Sequence, residues 1–89
     1  MEKFIVFGNY CEDAINKREP FREQHLNRLS ILKDSNILVT LGPTKCTKYM
    51  FGIFNANNEN QVRNFIEDDI YWEKGIWISY SVYPWIQAF

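Results

Sequence analysis

Three short stretches of this chain are apolar on both of the faces that a β-strand presents, and this limits what it can fold into. Phe4 and Val6 alternate with Ile5 and Phe7, Leu38 sits beside Val39, and Tyr49, Phe51 and Ile53 alternate with Met50 and Phe54. Successive side chains of a strand point to opposite faces, so each stretch offers two apolar surfaces. A sheet built that way needs cover on both sides. The chain has 89 residues, enough for one domain that buries only about 60% of the surface its unfolded form exposes. Aromatic residues make up 17% of it, a large apolar load for so thin a core.

The order of elements follows from the punctuation between these stretches. Residues 3–8 form a first strand ended by Gly8-Asn9. Pro20 cannot sit inside a helix without removing a hydrogen bond, which predicts a short turn over 13–18 and a main helix from Pro20 onward. In that helix Phe21, His25, Leu29 and Leu32 recur at three- and four-residue spacing with Leu26 beside them, while Glu23, Gln24, Asn27 and Arg28 fall on the other side. Asp34-Ser35-Asn36 ends it, with Asn36 suited to a left-handed cap. Residues 37–41 are a second strand stopped by Gly42-Pro43, and Lys48 to Phe54 a third, joined by a short polar hairpin segment.

Asn57 or Asn58 caps a second helix whose Val62, Phe65 and Ile66 face inward. Asp68-Asp69 opens a short helical turn through Lys74 that Gly75 ends, and residues 76–83 are the last strand, stopped by Pro84. The order βαββαβ is that of a ferredoxin-like α+β domain: a four-stranded antiparallel sheet with both helices on one face. The opposite face then stays bare, more apolar than soluble monomers tolerate, and a second copy of the chain is its simplest cover. The expected assembly is a homodimer whose sheets pack face to face as a dimeric α/β barrel, a two-fold contact of one surface with itself.

Ten basic and eleven acidic side chains give a net charge of −1, so no overall field attracts phosphate backbones or anionic lipid. Nucleic acid and membrane are not expected partners. The charged first twenty residues do not read as a signal peptide, and the expected location is the cytoplasm. Cys11 and Cys46 are too few and too far apart in sequence for a disulfide scaffold or a zinc site, so both read as reduced thiols, and no metal is expected.

Taken together, several segments resemble the YciI-like proteins of the dimeric α/β-barrel superfamily over nearly the whole chain. The stretch Asp13-Ala14-Ile15-Asn16-Lys17-Arg18, then Arg22, His25-Leu26, Leu29 and Gly42-Pro43 is similar to the first half of that family; Asp69, Gly75 and Val82-Tyr83-Pro84-Trp85 are similar to its second half. The chain departs from the pattern in having Asp69-Ile70 for Asp-Pro, Asn36 for a glycine, and a shorter loop after Pro43. The resemblance implies a catalytic pair, His25 with Asp69, and cofactor-independent proton transfer on a small organic compound, of the isomerase, lyase or dehydrochlorinase kind.

Each of these residues also has a plainer reading. His25 is the single histidine and lies on the apolar stripe of its helix, where it is either a core imidazole satisfied by a backbone group or a general base oriented by a carboxylate. Asp69 is either the cap of a short helix or the group that orients His25, and one carboxylate can serve both roles. Arg18 and Arg22 either pair with Glu19 or Glu23 or clamp an anionic substrate group. Gly42-Pro43 shapes a turn, with contact to a substrate secondary. Tyr49, Phe51, Trp77 and Trp85 read as core and dimer interface. No phosphate loop, metal cluster or Ser/His/Asp set is present, so no cofactor is expected.

Two rival functions use the same fold. A YciI-like domain can bind a metabolite or a partner without turnover. An RNA-recognition motif has the same element order, but its signature places Gly directly after a basic residue; here Tyr49 follows Lys48 and Gly52 is out of register.

Overall fold

A computed structural model describes residues 1–89. Strand β1 (Glu2–Tyr10) leads through a short helix α1 (Ala14–Lys17) and a single 3₁₀ turn (Glu19–Phe21) into the main helix α2 (Arg22–Asp34). Strands β2 (Leu38–Pro43) and β3 (Tyr49–Ala56) form the hairpin, helices α3 (Glu59–Glu67) and α4 (Ile70–Glu73) follow, and β4 (Trp77–Trp85) closes the chain. All pairings are antiparallel and the sheet order is β2-β3-β1-β4. This is the ferredoxin-like α+β arrangement expected from the sequence, with the helices on one face.

Local chemistry explains most element ends. Pro20 lies in the 3₁₀ turn, so α2 starts at Arg22 rather than at the proline itself. Asn36 adopts φ 61°, and its amide and that of Ile37 bond to the carbonyls of Lys33 and Leu32, each at 3.0 Å. Gly75, at φ 69°, repeats the device: its amide bonds to Trp72 and the amide of Ile76 to Tyr71 at 2.8 Å. Both ends are Schellman caps, which need one residue in the left-handed region. Asn58 caps α3 by accepting from the Gln61 amide at 2.9 Å, and the Gln61 side chain returns to the Asn57 amide at 2.8 Å.

Several strand boundaries differ from those the sequence predicts, β3 running on to Ala56 among them. β1 runs on past Gly8-Asn9 to Tyr10, β2 includes Gly42-Pro43, and β4 includes Pro84. A proline removes one ladder donor, and β2 and β4 are the outer strands, where a missing donor on the free side costs nothing. Gly8 stays in register because its bare backbone leaves room for Met50; a Cβ there would come within 3.0 Å of the Met50 side chain.

The core lies between the sheet and the helices. Phe4, Val6, Met50, Phe54 and Val82 from the strands meet Val62 and Ile66 of α3 and Tyr71 of α4, all buried. From α2 only His25 is fully buried; Leu29 and Leu32, and Phe21 of the preceding 3₁₀ turn, are half-buried, and Leu26 is more exposed than its place beside the apolar stripe suggests. The other sheet face carries Ile5, Phe7, Phe51, Ile53 and Tyr83, with Ile5 paired to Ile53 and Tyr83, and Phe7 to Phe51. Phe7 and Tyr83 are about half exposed, at 50% and 52%. No helix is long and apolar enough to cross a membrane.

Candidate active site

The site is built where α2 crosses α4. Asp69 is the N-cap of α4: its backbone is extended, and its Oδ1 accepts the Tyr71 amide at 2.9 Å. Capping buries this carboxylate completely, at 0% exposure, and a buried charge needs donors in place of water. Two side chains of α2 supply them. His25 Nδ1 lies 2.8 Å from Oδ1, and Arg28 donates to Oδ2 at 3.1 Å. His25 and Arg28 are three residues apart, so they project from the same side of the helix.

The imidazole is locked by aromatic contacts as well. Its ring stacks on Tyr71, centroids 3.6 Å apart and planes at 10°, and meets the edge of Trp77 at 5.1 Å. Because a carboxylate only accepts hydrogen bonds, the proton between the two groups sits on His25 Nδ1 and leaves Nε2 as the basic nitrogen of the neutral ring.

A cavity of about 100 Å³ opens beside this pair. Arg18, Arg22, His25, Gly42 and Pro43, all singled out from the sequence, line it together with Tyr10, Leu26, Leu29, Leu41 and Tyr71. Asp69 lies behind His25 and does not reach the cavity wall. Neither Arg18 nor Arg22 pairs with Glu19 or Glu23; no ion pair involves either arginine. Arg18 Nε is buried without a hydrogen-bond partner. Burial pushes the hydroxyls of Tyr10 and Tyr71 above the usual phenol range, which keeps both neutral and able to donate.

Several residues of the site were not legible in the sequence as site residues. The helical spacing puts Arg28 on the solvent side of α2, yet it is half-buried against Asp69. Its spacing from His25 was the available signal. Trp77, read as core and interface, is core and also forms one wall of the His25 ring. Tyr10 and Tyr71 carried no signal beyond their aromatic character.

A larger cleft of about 650 Å³ also borders Tyr10 and holds neither His25 nor Asp69. Cys11 and Cys46, distant in sequence, both border it as free thiols. The Thr44 hydroxyl, 3.3 Å from Cys46 Sγ, holds that thiol below its ordinary range, helped by the backbone near Lys48.

Comparison with known proteins places this architecture. No curated protein matches the sequence significantly. Among solved structures, 5-chloro-2-hydroxyhydroquinone dehydrochlorinase from Burkholderia phenoliruptrix AC1100, in complex with 2,5-dihydroxybenzoquinone, is similar in fold at a TM-score of 0.83 and 22% identity, over 97% of this chain and 95% of that one. Protein Atu4242 from Agrobacterium tumefaciens is similar at a TM-score of 0.60 and 14% identity, over 99% of this chain and 94% of that one. The family model of the YCII-related domain matches residues 2–86, and the chain belongs to that family.

Proposed function

We propose that this protein is an enzyme that moves a proton on a small organic substrate, with His25 as general acid and base and Asp69 orienting it. The observation that carries the reading is the 2.8 Å contact between His25 Nδ1 and a fully buried Asp69, made at the wall of a cavity. A base needs a fixed tautomer, a partner for the charge it acquires, and access to the substrate. Asp69 supplies the first two, and the cavity supplies the third.

Arg18 and Arg22 stand at the cavity without carboxylate partners, a setting suited to an anionic substrate group. Gly42 and Pro43 form the opposing backbone wall, where no side chain at Gly42 narrows the space. The dehydrochlorinase of similar fold holds a small ring compound, which supports a substrate of that size and an isomerase-, lyase- or dehydrochlorinase-like reaction. No cofactor enters this scheme.

We place the working form as a homodimer in the cytoplasm. The bare sheet face, with Phe7 and Phe51 rings 5.1 Å apart among other apolar side chains, suits a second copy related by a two-fold axis. Nucleic acid has no role in this reading.

The test is turnover of hydroxylated and chlorinated ring compounds by wild type and His25→Gln. Loss of turnover with the fold intact supports general acid/base catalysis. A variant that still turns over substrate at the wild-type rate, or a wild type that only binds, makes the domain a ligand-binding module and His25 a structural residue.

A further inference from the structure

Two observations meet at Tyr10, and the first is its place in the sheet. It is the last residue of β1, it follows an irregularity in the β1–β4 ladder at Asn9/Tyr10, and its cross-strand partner is Trp77. Bulges of this kind re-aim a side chain. The Tyr10 ring meets the edge of Tyr71 at 6.5 Å, and Tyr71 stacks on His25, so the phenol and the imidazole share one aromatic wall of the cavity.

The second observation concerns hydrogen bonds. Trp77 Nε1 and Arg18 Nε are the two buried side-chain donors of the protein without a partner at normal hydrogen-bond geometry. Trp77 is the cross-strand partner of Tyr10 and Arg18 lines the same cavity; both stand close enough to the Tyr10 oxygen to oppose, as donors, the rise in its pKa that burial causes. A phenol has one hydrogen and two lone pairs. N–H groups beside the Tyr10 oxygen take its lone pairs, which directs the hydroxyl hydrogen away from them. Of the two hollows that Tyr10 lines, the small cavity is the one it shares with Arg18, Tyr71 and His25.

We infer that Tyr10 is a second catalytic residue, whose hydroxyl donates a hydrogen bond to a carbonyl or enolate oxygen of the substrate while His25 moves the proton. This deepens the acid/base reading of His25 and rests on it, and it names the substrate class as a small oxygenated ring or carbonyl compound. In the step itself, His25 Nε2 takes a proton from the carbon beside the carbonyl. The C–H electron pair becomes the new C=C bond, and the carbonyl π pair moves onto oxygen. Tyr10 holds that enolate oxygen by its O–H without giving up the proton. The imidazolium then returns the proton to another carbon of the enolate system, which gives the isomer and restores His25. Arg18 and Trp77 act as positioning residues through Tyr10.

The experiment uses the full chain as wild type, Tyr10→Phe and His25→Gln, with 2,5-dihydroxybenzoquinone as probe in calorimetry and the indole N–H resonances followed by NMR. The expected result is that Tyr10→Phe stays folded, binds the probe about 10- to 100-fold more weakly and shifts the Trp77 indole resonance, as loss of a hydrogen bond to a charged oxygen requires. Unchanged binding in Tyr10→Phe, against a wild type that binds, overturns the inference but leaves the role of His25 standing. Loss of binding in Tyr10→Phe with unchanged binding in His25→Gln supports Tyr10 and leaves the role of His25 to the turnover test. If the wild type does not take the probe, the ring-compound reading falls, and the Trp77 indole decides the rest: an unmoved resonance in Tyr10→Phe overturns the inference, and a moved one supports the donor arrangement behind it.

Discussion

Oδ1 of Asp69 accepts from His25 Nδ1 and from the Tyr71 amide at once, at 2.8 and 2.9 Å. One oxygen thus caps α4 and orients the imidazole stacked on Tyr71, so the stability of the α2–α4 crossing and the chemistry of the cavity are tied together. Substitutions at Asp69 separate the two roles.

Asp69→Asn keeps an acceptor for the cap but lets the imidazole take the other tautomer. Turnover should fall about 10²- to 10⁴-fold, the usual worth of a positioned base, with a small change in melting temperature. Asp69→Ala removes the cap and leaves the buried His25 Nδ1 and the Arg28 guanidinium without an acceptor. It should cost about 3 kcal/mol or more of stability, the range for breaking a buried charged network. Thermal and urea unfolding of the two variants checks the contrast.

Arg28→Met removes one of the three donors to Asp69 while keeping the stem that packs on the helix. The predicted loss is about 1–3 kcal/mol, as for a hydrogen bond to a charged group. Double-mutant analysis with Asp69→Asn should give a non-additive sum, because the two residues share one bond. Additive effects would mean the contact contributes nothing.

Alkaline pH should destabilise the fold through its tyrosines. Burial raises the Tyr10 and Tyr71 hydroxyls above their unfolded value of 10.0. Above that pH the unfolded chain releases protons that the folded one retains, so the stabilising effect is full below 10 and is lost as pH rises through the folded values. Absorbance titration should show these two phenols ionising above 10.0, and unfolding midpoints should fall steadily above pH 10, less so in Tyr10→Phe.

The homodimer reading gives a surface prediction. Phe7→Glu sets a charge among Ile5, Phe51 and Ile53 on the bare sheet face and should convert a dimer to a monomer in sedimentation at micromolar concentration. A wild type that sediments as a monomer removes the assembly from the proposed function.

Cys46 should alkylate faster than Cys11 near neutral pH, because it is exposed and the Thr44 hydroxyl favours its thiolate. Thr44→Val should slow it. Mass spectrometry after brief iodoacetamide treatment measures both.

What the sequence determined by itself is the order of elements and how the helices are capped, whereas the strands run past the stops it predicts. Pro20 displaces the main helix, Asn36 and Gly75 take the left-handed caps, Asn58 caps α3, and the two-sided apolar strands demand cover on both faces; these are short-range rules that act within a few residues. The candidate residues His25, Asp69, Arg18, Arg22 and Gly42-Pro43 were also legible, through spacing and family resemblance. Only tertiary structure decided what they meet. Arg28 turns inward because the carboxylate it binds stands 41 residues away, on a helix whose cap buries it. Tyr10 and Trp77 become neighbours through strand pairing across the sheet, and Cys11 and Cys46 border one cleft for the same reason. Periodicity reports which face of an element is buried, but not which residue of another element lies opposite, and the partner is what turns a buried histidine and a capping aspartate into a candidate site.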